Sequence, residues 1–193
     1  PPAFGFDPEV KPYAYDPKKA KELLAQAGLP NGVDITLHSG DPAVRPQFEA
    51  LCQMLTEVGI RTTPKIWDPG PAWNKFYQTD GKATHGTYFT WGNYSVFDAD
   101  AVLHPLYHTE QGGWIGKWYT RVEGLDKPMD EARSTLDQTK RKRMYSQIQQ
   151  LIREEAPSIF LYTQYDTLGI SKRVEYAARA DEWLWLFDAK PKR

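Results

Sequence analysis

The most constraining feature of the chain is a pair of short alternating strands separated by a long helical segment. Val33, Ile35 and Leu37 alternate with Asp34, Thr36 and His38, which reads as a strand with one apolar face. Asp41 to Val58 follows as a helix, with Phe48, Leu51, Cys52 and Leu55 on one side and Gly59 as its stop. Pro42 and Pro46 compete for its start. Ile60 to Trp67 is the second strand, and Pro64 within it points to a sheet edge or a bulge. Ala72 to Thr79 reads as a short helix and His85 to Trp91 as a third strand. Strands joined through crossovers this long run parallel, with helices packed on the sheet. The expected class is α/β, with a mixed, mostly parallel sheet flanked by helices.

The segments on either side complete the outline. Five prolines fall within residues 1–17, which read as an extended linker. Asp16-Pro17 then opens a helix as N-cap and first residue, with an apolar stripe at Ala20, Leu23, Leu24 and Ala27 and a stop at Gly28. Beyond Trp91 the pattern predicts a helix from Asp98 to about His104, another from Asp126 to Ser134, and a long one from Asp137 to Glu155. The last carries Tyr145, Ile148, Leu151 and Ile152 on one face. Ile159 to Thr163 reads as a strand. Trp183 to Phe187 is apolar on both faces; either it enters the core or its cover is absent.

Composition excludes several classes. The net charge is -1, so bulk electrostatics favour neither nucleic acid nor an anionic membrane. The basic run Lys140 to Arg143 reads as the solvated face of a helix. Cys52 is the single cysteine, which rules out an internal disulfide, and its place on an apolar face marks it as a small hydrophobe. No apolar run approaches the ~20 residues needed to span a bilayer, and no stretch reads as a signal peptide. The opening Pro1-Pro2 reads as the start of a mature or excised segment.

Chemistry-bearing motifs are few. The chain contains no nucleophile elbow, zincin motif, phosphate-binding loop or dinucleotide fingerprint, so no catalytic residue, cofactor or metal is expected. His104 and His108 are four apart, but Pro105 lies between them and no third ligand is spaced nearby; they read as surface or capping residues. His38 and His85 read as structural, and Asp98 and Asp137 as helix caps.

Two aromatic loops stand out instead. Trp91-Gly92-Asn93-Tyr94 falls at the carboxyl end of a strand, where parallel sheets place their ligands. It offers flat contact area, an indole N–H, a phenol and an amide. The second is Gly112 to Tyr119, in which Trp114 and Trp118 are weaker ligand-binding candidates.

Four segments together resemble the periplasmic solute-binding proteins of ABC transporters, family 5, the peptide/opine/nickel class. Tyr15 to Gly28 is similar to the family's Y-D-P-x-K-A-x-x-L-L-x-x-A-G element, and Leu55 to Ile60 to its L-x-x-x-G-I junction. Asp137, Arg141, Tyr145 and Gln149, followed by Ala156-Pro157 and Leu161-Tyr162, resemble D-x-x-x-R-x-x-x-Y-x-x-x-Q leading to A-P-x-x-x-L-Y. Asp126 and Ala132 fit a further helix.

The resemblance implies a type II periplasmic-binding-protein lobe, matching the C-terminal part of a longer, two-lobed receptor. Residues 1–15 would be an interlobe linker, 16–168 the ligand-binding lobe, and 169–193 a tail returning to the absent lobe. The implied partners are a peptide or small polar solute, a membrane permease and the missing N-terminal lobe. The implied location is the periplasm or the outer face of a membrane. The family's cleft loop reads W-x-x-D-x-x-D-P, and its first aspartate pairs with a peptide's amino terminus. Tyr94 stands in that place here, so a free α-amino group would lack its ion pair. A carbohydrate-acting enzyme domain using Asp98 or Asp100 as acid, and an interaction module built on the Trp183 segment, are the competing readings.

Overall fold

A computed structural model describes residues 3–67, 70, 85–88, 96–110, 115–116, 119–163, 165, 167–179, 181 and 183–192. Strands β1 (Val33–Ser39), β2 (Ile60–Ile66) and β3 (Gly86–Tyr88) form a parallel sheet in the order β2-β1-β3. Ser39 pairs with Ile66 on one side and with Tyr88 on the other, so all three strands end at one level. That level is the carboxyl edge of the sheet. Among the described residues β2 is an outer strand, which suits Pro64, because an edge strand can spare one backbone donor.

Local chemistry explains the element boundaries. In α1 (Pro17–Gln26), the Asp16 carboxylate accepts the Lys19 N–H at 2.8 Å, and Pro17 occupies the first helical position. Its apolar stripe is not buried; Leu23 remains half exposed. The competition between two prolines resolves into two elements. Asp41 caps a single 3-10 turn, Pro42–Val44, and α2 (Arg45–Glu57) starts afresh with Pro46 in its first turn. Helix α3 (Asp100–Tyr107) runs further than expected and keeps Pro105 inside it. Asp98 is not itself the cap residue, but its carboxylate accepts the Asp100 N–H at 2.9 Å and serves the same orphan donor. α4 (Asp126–Ser134) and α5 (Gln138–Glu155) match the expected spans, and Asp137 caps α5 through the Lys140 N–H. The proposed helix over residues 72–79 lies outside the described residues.

Two apolar clusters hold these elements. Phe48, Cys52 and Tyr88 fill the space between α2 and the sheet. A larger cluster joins α3, α4 and α5 through Leu106, Leu125, Met129, Tyr145, Ile148 and Ile152, with Phe4 packed against it. Residues 4–13 are more than a spacer. Gln149 on α5 donates to the Gly5 carbonyl at 2.6 Å, Ser146 donates to Asp7, and Arg153 donates to the Lys11 carbonyl at 2.6 Å. The Phe4 N–H in turn bonds the Phe97 carbonyl at 2.8 Å.

The expected strand over Ile159 to Thr163 does not form. The backbone leaves α5 at Ala156, whose left-handed φ of 46° turns the chain, and no described strand lies alongside to pair it. Its apolar side chains stay exposed. The tail forms a small antiparallel pair, β4 (Val174–Glu175) with β5 (Lys190–Pro191). Trp183 to Phe187 does not join either core; Phe187 is 89% exposed.

One glycine is fixed by close approach. Gly32 has φ +77°, and a Cβ there would lie 2.0 Å from the Gly59 carbonyl oxygen, which itself accepts the Val33 N–H at 2.9 Å. Gly32→Ala is therefore expected to cost at least about 1–2 kcal/mol of stability. Urea unfolding of the two proteins measures this, and equal midpoints would contradict the packing described.

Candidate functional site

The candidate site is taken at the carboxyl edge of the sheet, where β1, β2 and β3 end. Trp91, Gly92, Asn93 and Tyr94 follow β3 in sequence and lie outside the described residues, as do Trp114 and Trp118. The residues on either side of them are described.

At the β3 end, Tyr88 is buried against Phe48, and its phenol lies 3.0 Å from that of Tyr162. Burial first, and then the neighbouring phenol, push the Tyr88 pKa up to about 12, so it stays a neutral hydrogen-bonding group. Beside it, Thr87 Oγ1 lies 2.6 Å from the Tyr119 phenol. Burial drives Tyr119 up to about 12 as well. Tyr119, just beyond Trp118 in sequence, is thus tied to the middle of β3. Its Ile115 is buried in the larger cluster.

The first two strands are finished off by a second contact. Trp67 Nε1 donates to His38 Nδ1 at 3.1 Å, and the Trp67 N–H bonds the Ser39 carbonyl at 2.9 Å. His38 therefore closes the edge of the sheet, in line with a structural role. His85 has one too: its Nδ1 accepts the Thr36 N–H at 2.9 Å.

Asp98, beyond the undescribed residues that follow β3, is held by a charged clamp. Arg141 donates to both oxygens of Asp98, at 2.6 and 2.9 Å, and both side chains are largely buried. Arg141 also donates to the Ala132 carbonyl at 3.0 Å and to the Tyr145 phenol at 2.9 Å. Its guanidinium sits over the rings of Phe4 and Tyr145. Burial raises the Asp98 pKa, but the Arg141 bonds and the Asp100 N–H outweigh it and hold the carboxyl below its ordinary value. Asp100 is taken up by Arg133 at 2.9 Å. Asp98 is not placed as a general acid, because Arg141 holds it ionised.

The clamp was not singled out as a site from the sequence, although a signal existed. Arg141, Tyr145 and Gln149 recur every fourth residue and so share one helix face. The histidine pair also departs from expectation. His104 and His108 are both 3% exposed and stacked at 4.5 Å between ring centroids. A third potential ligand, Asp130, reaches both from α4 at 3.4 Å. Spacing could not show it, because Asp130 comes from another helix.

A three-stranded parallel sheet flanked by helices defines an α/β fold. Residues 1–114 match the family described as bacterial extracellular solute-binding proteins, family 5 Middle, and the chain belongs to that family. The glutathione-binding protein GsiB of Escherichia coli (strain K12) is 29% identical over 174 residues, which is 85% of this chain and 33% of that protein. GsiB of Pectobacterium atrosepticum is 28% identical over 183 residues, covering 90% of this chain and 35% of its own. The chain thus spans about a third of the length of these relatives. Among solved structures, DppA of Helicobacter pylori in complex with peptide STSA superposes with a TM-score of 0.69 at 26% identity, over 80% of this chain and 30% of that one. MoaA of A. tumefaciens in complex with mannopinic acid gives 0.65 at 27% identity, over 80% and 31%. These neighbours share the type II periplasmic-binding-protein fold, which confirms the expected lobe class. No described helix is long and apolar enough to cross a membrane.

The clamp generates a pH prediction. Because the folded Asp98 pKa is depressed, its stabilisation is present above the unfolded value near 3.8 and is lost as pH falls through the lower folded value. Melting temperature should therefore drop below about pH 4, and Asp98→Asn should flatten that limb. Arg141→Ala should cost about 3–5 kcal/mol near neutral pH, because it strands a largely buried carboxylate. Thermal melts across pH test both; an acid limb unchanged in Asp98→Asn would remove the clamp from the account.

Proposed function

We propose that this chain is the ligand-binding lobe of the substrate receptor of an ABC importer, and that it captures a peptide or similar small polar solute. The observation that carries the reading is the rooting of the β3 loop, fixed at Tyr88 on one side and by the Asp98–Arg141 clamp on the other, in a chain of this family. Relatives named for glutathione, a bound peptide and mannopinic acid support a small polar ligand. Trp91, Gly92, Asn93 and Tyr94 would form one wall of the cleft, and Trp114 and Trp118 would contribute from the neighbouring segment. The role is binding without catalysis, and the ionised state of Asp98 speaks against the enzyme alternative.

On this reading the receptor works outside the cytoplasmic membrane, in the periplasm or at the outer surface, and hands its solute to a permease. Residues 1–15 link the lobes and residues 169–193 return to the second one. The exposed apolar side chains of Ile159 to Tyr162 and Trp183 to Phe187 are surface that this second, N-terminal lobe would cover. An apolar hollow of about 540 Å³ beside α2, lined by Tyr15, Leu51, Met54, Tyr88 and Tyr162, adjoins that surface.

Calorimetry of the full-length parent and of this chain against a panel of peptides, opines and sugars tests the proposal. The parent is expected to bind one solute per molecule, and the chain at least about 100-fold more weakly, since half the cleft is absent. Trp91→Ala in the parent should weaken binding about 10- to 100-fold. Tight binding by the chain alone would contradict the two-lobe cleft, and glycoside turnover dependent on Asp98 would overturn the receptor reading.

A further inference from the structure

We propose that His104, His108 and Asp130 form a binding site for one divalent transition-metal ion of the zinc class at the seam between α3 and α4. This stands apart from the ligand cleft and does not depend on it. Two imidazoles and one carboxylate are a zinc-type donor set, and three protein ligands leave a fourth position for water.

Geometry favours an ion over simple hydrogen bonding. Asp130 Oδ1 lies 3.4 Å from Nε2 of His104 and 3.4 Å from Nε2 of His108. Charge-assisted hydrogen bonds would draw these atoms to about 2.7–2.9 Å. A separation of 3.4 Å instead matches the ligand-to-ligand edge of a tetrahedron with metal–ligand legs of about 2.1 Å. One ligating atom from each of the three residues lies within 4.8 Å of those of the other two. Both imidazoles are buried, whereas the Asp130 side chain is 53% exposed, so the open position faces water and an entry path exists.

The surroundings accept the added charge. Asp100 faces His104, and Asp126 lies near His108 while accepting the Thr109 N–H at 3.0 Å. The opposing cation, Arg133, is already engaged by Asp100.

His108 Nδ1 accepts the Glu110 N–H at 3.1 Å, so neutral His108 carries its proton on Nε2. On metal binding that proton leaves Nε2 and Nδ1 takes one up, while the Glu110 amide turns away from the ring. One local hydrogen bond is exchanged for a metal–nitrogen bond, and the new Nδ1–H becomes a donor, as in most ligating histidines. The stacked rings, 23° apart in plane, must also rotate to aim both lone pairs at one ion.

The test uses the metal-free 193-residue chain titrated with ZnCl₂ by calorimetry and with CoCl₂ by visible absorption. The expected result is one ion per chain, tetrahedral cobalt bands, and a melting temperature that rises with zinc. Asp130→Asn removes a half-exposed side chain, so it should fold as the parent does by circular dichroism while binding at least 10-fold more weakly. His104→Gln should do the same to affinity, and His85→Gln should leave the stoichiometry unchanged. Absence of saturable one-to-one binding up to about 1 mM zinc, or binding that survives both Asp130→Asn and His104→Gln, would overturn the proposal.

Discussion

The grip of Arg141 on Asp98 is the contact on which the arrangement around the sheet edge depends. One guanidinium meets the exit of the β3 loop, the last turn of α4 through the Ala132 carbonyl, the phenol of Tyr145 and the face of Phe4. Four separate stretches of chain are brought to one point. A largely buried ion pair adds little net stability over a well-packed apolar substitute. Its worth here is directional: a bidentate fork with fixed geometry lets Asp98 sit in one place and lets α3 begin in one place.

That placement lies against the helical cluster, through Ala132, Tyr145 and Phe4. The sheet cluster around Phe48 and Tyr88 is small, and three parallel strands with few buried side chains do not position a long loop by themselves. The helical cluster is larger and includes Tyr145 and Phe4. Tyr88, at the end of β3, belongs to the first cluster, and the Thr87–Tyr119 bond ties β3 to the segment that follows α3. Residues 4–13, bonded along α5, extend that frame to the stretch read as the crossover between lobes.

Much of this was legible in the sequence, for identifiable reasons. Asp16-Pro17 and Asp137 announce helices because a side-chain cap acts over three residues and leaves a local mark. β1, β2 and Gly59 follow from period and turn chemistry. Signals that depend on partners distant in the chain were harder to read. Ile159 to Thr163 has strand composition, but a strand exists only where another lies beside it. Asp130 completes the histidine group from a different helix. Helix α3 continues past His104, its expected end, and keeps Pro105 inside; burial of Leu106 and Tyr107 in the larger cluster offsets one missing backbone donor. The tips of the aromatic loops, Trp91 to Tyr94 above all, were named from their place after a strand and from family likeness, whereas the structure speaks to their roots.

The division between root and tip carries the argument about specificity. The solved relatives hold a peptide in one case and mannopinic acid in another, while their frames superpose on this one at TM-scores of 0.69 and 0.65. A frame common to such different ligands cannot itself choose between them, and on the proposed reading the choice falls to the loops it carries. On the proposed reading, Tyr94 stands where the family resemblance implies an aspartate. A phenol can donate and accept a hydrogen bond, but near neutral pH it brings no charge. A cationic amine placed against it would be desolvated without an ion pair, a cost that a single neutral hydrogen bond does not offset. The receptor reading therefore favours ligands whose amine is blocked, absent, or neutralised from elsewhere in the cleft.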